Sequence, residues 1–206
     1  MTNLQKRILT SLIILPLSFF FILKGDHILI FFLIFILFTG FHELFFSFKR
    51  GITIFFLSLI LILSLFSIYY LRVSSEDSVL VLYLVIAISI SSDIGGYVFG
   101  KIFKWKKLTK ISPKKTISGV FGSYFFSVIC LVVFLNIYTR DFTELLPAFI
   151  NIRSFLVAII FSTVAQFGDL TISYFKRLEK IKDTGKILPG HGGILDRIDG
   201  LMFVVI

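Results

Sequence analysis

Residues 28–46 read ILIFFLIFILFTGFHELFF. That is the length a helix needs to cross a hydrocarbon core about 30 Å thick, which takes roughly 20 apolar residues. Five other blocks meet or approach it: 8–23, 52–71, 79–99, 119–138 and 154–175. A further apolar stretch starts near Ile198. The chain has 206 residues, is 57% hydrophobic and has a mean hydropathy of +0.98. Soluble chains are typically about 45–50% apolar. The pattern predicts an all-α polytopic integral membrane protein with six to seven transmembrane helices. Lys6 and Arg7 ahead of the block at 8–23 resemble the start of a signal peptide. No small-residue cleavage site follows it, so this block is expected to stay as a helix. Cys130 is the single cysteine, which excludes an internal disulfide and a cysteine-pair metal site. Neither a 20–50-residue repeat nor a low-complexity linker is evident.

Charge sets the expected orientation. Lys and Arg favour cytoplasmic loops. With the N-terminus inside, 17 of the 21 basic residues fall on that side, and only Lys24, Arg72, Arg140 and Arg153 fall outside. The N-terminus is therefore expected to be cytoplasmic. The net charge of +9 gathers on that face, where it also attracts anionic lipid headgroups. No nucleic-acid-binding motif accompanies the basic residues, so nucleic acid is not an expected partner.

Two acids stand out in the membrane segments. Asp93 lies in SISSDIGGYVFGK and Asp169 in STVAQFGDLTISYFKR, each near the inner end of its span. At 1.5 Å per residue both sit roughly 20 Å below the outer boundary. An ionisable group at that depth is a functional candidate by default. Asp169, Ser173 and Lys176 share one helical face, as do Asp93, Gly96, Tyr97 and Gly100. Gly95, Gly96 and Gly100 are small enough to let another helix or a ligand approach.

Two polar loops face the same side. The first, KIFKWKKLTKISPKKTISGVFGS, carries Ser112, Pro113, Lys114, Lys115 and Thr116 just before a span. A helix N-terminus with nearby lysines suits a phosphate. The P-loop spacing is absent. The second, KRLEKIKDTGKILPGHGGILDRIDG at 176–200, carries Gly190, Gly192 and Gly193, which allow positive φ, and leads to Asp196 and Asp199. His191 is a candidate ligand or proton donor beside an ordinary loop histidine. Carboxylates beside phosphate oxygens are typical Mg²⁺ ligands, and two metals can assist in-line phosphoryl displacement. The residues alone thus point to metal-assisted chemistry on a phosphate compound at the inner membrane surface, with a lipid partner. The chain divides into N-terminal transmembrane helices at 1–75 and a catalytic transmembrane part at 76–206, with cytoplasmic loops at 100–118 and 173–197.

Ser173-Tyr-Phe-Lys-Arg, Lys182-Asp183, Gly185, Leu188-Pro189, His191-Gly-Gly and Asp196-Arg-Ile-Asp199 together resemble the signature of the phosphatidate cytidylyltransferase (CDP-diacylglycerol synthase) family. Every fixed position of that pattern is filled. The segment SPKKT at 112–116 and the run Asp93…Tyr97…Gly100 resemble other parts of the family, so the likeness covers about 93–199. Some positions depart from it. Ile117, Ser118 and Gly119 stand where the family usually has Trp-Glu-Gly, Gly96 replaces a common Ala, and Lys104 a common Gly. The N-terminal part is shorter than in many relatives, which suggests that a span or two is missing. Residues 198–206 reach only about 14 Å as helix, so the last span is expected to be incomplete within this sequence.

The resemblance implies a nucleotidyl transfer in phospholipid biosynthesis: CTP and phosphatidate give CDP-diacylglycerol and pyrophosphate. It implies Asp169 and Asp196 as ligands of Mg²⁺, assisted by Asp199 and Asp93, with a second metal or K⁺ beside it. Ser112, Lys114, Lys115 and Thr116 would hold phosphates, joined by Lys182, His191, Gly192, Gly193 and Arg197. Lys176 and Arg177 would neutralise the attacking phosphate or the leaving pyrophosphate. A homodimer in the inner (cytoplasmic) membrane, its active site facing the cytoplasm, belongs to the same expectation. The alternatives are a related enzyme acting on an ether-linked lipid phosphate, a polyprenol- or dolichol-kinase-like enzyme, and a transporter with Asp93 and Asp169 as coupling-ion sites. The outer loops carry none of the chemistry that transport from both sides would need.

Overall fold

The structure, a computed structural model, describes residues 3–109, 111–139, 152–185, 187–188 and 192–206. Its elements are helices throughout: α1 (Asn3–Lys24), α2 (Asp26–Ser47), α3 (Gly51–Ser74), α4 (Glu76–Phe103), α5 (Ile117–Thr139), α6 (Ile152–Leu178) and α7 (Leu195–Val204). Among the described residues the only β pairing is in isolated bridges, Lys107 with Thr116 and Leu188 with Gly192. Helices α2 to α6 are long and apolar enough to cross a membrane, and α1 adds the apolar stretch Leu12–Lys24. The expected all-α polytopic architecture is what forms. Phe31, Phe46 and Ile52 are 73%, 80% and 76% exposed. Such exposure suits helices whose outer faces meet lipid.

Local chemistry fixes where the helices end. Between α1 and α2 the chain turns at Gly25, with φ at +68°. A side chain there would be strained, and its Cβ would also collide with the Arg72 guanidinium. That guanidinium, from α3, donates to Ile22 O at 2.8 Å and Leu23 O at 3.1 Å. It thus satisfies the last carbonyls of α1 at the end where a cation is favoured. Helix α4 starts at Ser75, whose hydroxyl accepts the Ser78 N–H at 3.1 Å, with Glu76 and Asp77 in the first turn. It ends at Lys104 in the left-handed conformation. Two helices run further into the polar segments than the sequence reading placed them. Helix α4 ends at Phe103 rather than near 100, and α6 at Leu178 rather than near 173. Lys101 on α4 and Lys176 and Arg177 on α6 extend the last turns, where their charge complements the helix dipole. Helix α7 begins at Leu195, three residues ahead of the expected Ile198.

Small residues let α4 and α5 meet closely. A Cβ added to Gly95 would strike Gly122 O, and one on Gly122 would strike Gly95 O and the Phe99 side chain. The α4 glycines therefore admit another helix, α5. Hydroxyls tie the third neighbour in: Ser123 Oγ donates to Ser92 O at 2.7 Å, and Ser92 and Ser162 share a hydrogen bond of 2.8 Å. A separate core joins the N-terminal helices to the last ones. Leu29, Leu44, Leu57 and Leu61 pack in one buried cluster with Ile172 of α6 and Leu195 of α7.

Candidate active site

The C-terminal halves of α4 and α6 and the first turns of α5 and α7 enclose a cleft of about 400 Å³. Its walls bring together most of the residues singled out in the sequence: Asp93 from α4, Ser112, Lys114, Lys115 and Thr116 before α5, Asp169 and Lys176 from α6, and Asp196, Arg197 and Asp199 from α7. Their common depth follows from topology. Alternate helices end or begin on the same side, and their polar ends gather there.

The basic wall is a tethered loop. Leu108 N donates to Lys115 O at 2.8 Å, and Ile117 N to Lys106 O at 3.0 Å. These bonds fold 106–117 back on itself and carry Lys114 and Lys115 to the cleft. Thr116 precedes the first turn of α5, and its hydroxyl accepts the Gly119 N–H at 3.1 Å. That is an N-cap, so this oxygen holds the helix start. Lys115 forms an ion pair with Asp169 across the cleft, both side chains partly exposed. Ser173, one turn on from Asp169, donates to Asp169 Oδ1 at 3.3 Å.

Three of the five carboxylates that line this cleft are Asp93, Asp169 and Asp199. The charge of Asp169 bears on both of the others, and that of Asp93 bears on Asp199. Lys115, Lys176 and Arg197 line the same cleft and offset part of this like charge. Among the described residues, no three acidic, histidine or cysteine groups close around a single point.

Asp196 is placed differently. Its Oδ1 accepts Lys176 Nζ at 2.8 Å, while Oδ2 accepts the backbone N–H groups of Thr184 at 2.8 Å and Gly193 at 2.9 Å. The side chains of Lys176 and Asp196 are 9% and 5% exposed. This buried pair ties Thr184 and Gly193 to the start of α7.

Other expected site residues stand apart from the walls. Arg177 donates through Nη1 to Ile181 O at 2.9 Å and through Nε to Ile111 O at 3.5 Å, bracing the two loops against each other. Lys182 is exposed and Gly192 and Gly193 lie behind the wall. Gly192 has the expected positive φ, at +88°. Gly193 does not need one. It needs space, because a Cβ there would run into Thr184 Oγ1 and Glu43 Oε2. His191 and Gly190 lie outside the described residues.

The sequence reading missed several residues here. Asp183 and Gln166 line the cleft. Glu43 of α2, 2% exposed, accepts Ile194 N at 2.7 Å, Leu195 N at 3.0 Å and Thr184 Oγ1 at 3.1 Å. An acid inside an apolar membrane-length run was the available signal.

Comparison with known proteins adds to this geometry. The model of the Cytidylyltransferase family matches residues 46–206. A protein named phosphatidate cytidylyltransferase from Staphylococcus haemolyticus is 42% identical over 139 residues, covering 66% of this chain and 50% of the relative. The one from Staphylococcus aureus has the same figures. The one from Staphylococcus epidermidis is 38% identical over 141 residues, again covering 66% and 50%. The chain spans about half the length of the curated relatives it matches.

Proposed function

Because this chain belongs to the cytidylyltransferase family, we propose that it is the catalytic part of a phosphatidate cytidylyltransferase, which joins CTP and phosphatidate into CDP-diacylglycerol and releases pyrophosphate. The observation that carries this reading is the cleft in which lysines and an arginine face five aspartates where four helices meet. Two anionic reactants must meet there, and fixed charges of both signs are what that demands. In the reaction a phosphatidate oxygen attacks the α-phosphorus of CTP, and the bond from that phosphorus to the β-phosphate bridging oxygen breaks. Catalysis is then positioning and electrostatics, and no protein nucleophile is required.

The residues divide the work. Lys114 and the N-terminal turn of α5 bind phosphate oxygens. Lys115, now paired with Asp169, sits where it can exchange that partner for a phosphate. Lys176 and Arg197 flank the same space. The oxygen-only donor set of Asp93, Asp169 and Asp199 fits Mg²⁺, which takes one or two carboxylates and completes its shell with substrate phosphates. It therefore needs no closed protein cage. A Mg²⁺ held by these carboxylates would supply charge neutralisation for the phosphates. Asp196 accepts Lys176 Nζ and the N–H groups of Thr184 and Gly193, and its contribution is to hold Lys176 and the loop in place.

A second, largely apolar cavity of about 300 Å³ adjoins the cleft between α1, α4 and α7 and shares Asp93, Arg197 and Asp199 with it. An amphiphile with its phosphate in the cleft has room there for its acyl chain. The excess of Lys and Arg on the cleft side supports a cytoplasmic N-terminus and a cytoplasm-facing site in the inner membrane. A homodimer belongs to the same reading and is measurable by mass in detergent. The reaction is tested by incubating the full chain in detergent micelles with CTP, phosphatidate and Mg²⁺, following CDP-lipid and pyrophosphate together. Equal amounts of both support the reading. A folded sample that yields neither rejects it.

A further inference from the structure

Glu43 lies on α2, outside the 46–206 stretch matched by the family model. Yet its carboxylate reaches the segment that ends in the cleft. Oε1 accepts the Ile194 N–H, and Oε2 accepts the Leu195 N–H and the Thr184 hydroxyl, at 2.7, 3.0 and 3.1 Å. Ile194 and Leu195 open helix α7. Their N–H groups have no partner inside the helix, and an anion is favoured at that end. One helical turn further along α2, Ser47 Oγ donates to Thr184 O. In the next turn of chain, Arg50 N donates to Glu179 Oε1 at 3.1 Å. Glu179, Thr184, Ile194 and Leu195 thus lie along the C-terminal end of α2, with Glu43 as their most buried anchor.

The glycines around Glu43 fit this role. A Cβ on Gly185 would lie 2.8 Å from Glu43 Oε1, and one on Gly193 would collide with Oε2. Both are small so that the loop can close on the carboxylate. The loop is then held from two sides, by Glu43 beneath it and by Asp196 at its end. Its exit fixes the start of α7, and one turn later Arg197 and Asp199 enter the cleft.

Resting on the cytidylyl-transfer reading above, we infer that Glu43 is a positioning residue for that reaction: it seats the start of α7 so that Arg197 and Asp199 face the cleft in register. It touches no substrate. Removing its charge leaves the substrates free to bind but misplaces the groups that meet them as the reaction proceeds.

The test uses the full chain in detergent with Glu43→Gln, Glu43→Asp and, as a core control on the same helix, Leu44→Val. Hydrogen exchange at the amides of 194–195 is measured beside steady-state kinetics. In Glu43→Gln an NH₂ group replaces one acceptor, so at least one of the three donors loses its partner. The expected result is exchange at 194–195 at least tenfold faster and kcat down by 30-fold or more, with KM for phosphatidate within threefold. Glu43→Asp restores part of kcat. Leu44→Val, matched in thermal shift, keeps kcat within threefold. Faster exchange with unchanged kcat overturns the positioning role, because the contact would then serve the fold alone. Unchanged exchange overturns the contact itself. An equal kcat loss in Leu44→Val also overturns it, since general destabilisation would explain both. Failure of the cytidylyl-transfer reading looks different, because the unsubstituted chain then yields no CDP-lipid.

Discussion

Asp196 and Lys176 make opposite demands on their substitutions, and the difference is measurable. Their side chains are 5% and 9% exposed and their charged atoms 2.8 Å apart. Lys176→Met removes the cation, but the two backbone donors of Thr184 and Gly193 stay on Asp196. Bonds to a charged group are worth about 1.5–3 kcal/mol each, so the orphaned carboxylate remains solvated by the protein. The expected loss is about 2 kcal/mol, below the roughly 3–5 kcal/mol of an unaided broken pair. Asp196→Asn is worse. Three donors then face a side chain with a single acceptor oxygen, and its NH₂ opposes at least one of them. Lys176 also loses its ion-pair partner while buried, with Asp199 left as the acid it acts on, so the loss approaches about 3–5 kcal/mol. The double variant Lys176→Met, Asp196→Asn removes the buried charge altogether and is expected to be at least about 1 kcal/mol more stable than the sum of the singles implies. The assay is unfolding of the full chain in mixed micelles by SDS titration, followed by circular dichroism. A loss for Lys176→Met equal to or above that for Asp196→Asn would refute the assignment of the two backbone bonds. Strict additivity in the double variant would refute the pair.

Three other substitutions separate binding chemistry from scaffold. Asp169→Asn is expected to lower turnover by about 100-fold or more at saturating Mg²⁺; near-normal turnover would remove Asp169 from any metal site. Thr116→Val deletes the α5 N-cap and should cost about 1 kcal/mol, read as a lower unfolding midpoint, whereas Thr116→Ser keeps the cap and the midpoint. Gly122→Val drives a branched side chain into Gly95 O and Phe99; overpacking of this kind costs about 1–3 kcal/mol, visible as a lowered melting temperature in detergent.

The span pattern was readable because a helix in lipid must be apolar along its whole length, and such runs survive without knowledge of tertiary contacts. The cleft was readable for a related reason. Polar groups are rare in these helices, so Asp93 and Asp169 stood out, and the loops that topology brings beside them carried the remaining charges. What the sequence did not disclose was who partners whom. Asp196 and Asp169 look alike in a one-dimensional reading. Both line the cleft, but one accepts a lysine and two backbone amides while the other pairs with Lys115 and accepts a serine hydroxyl. Thr116 reads as a phosphate ligand, and its oxygen also caps a helix. Burial and hydrogen-bond direction decide such roles, and neither is written in residue type.

Gly193 and Glu43 show how far apart the two halves of one explanation can lie. A glycine in a loop suggests a left-handed backbone, and Gly192 has one. Gly193 is small for another reason: a carboxylate from a helix 150 residues earlier occupies the place of its side chain. That carboxylate sits in a segment so apolar that it reads as membrane filling. Its burial requires partners, since an unpaired charge at this depth would be costly, and the partners are the first amides of α7. The N-terminal helices therefore do more than anchor the chain in lipid. They supply the counter-surface against which the loop before α7 closes, and the cleft inherits its geometry from that contact.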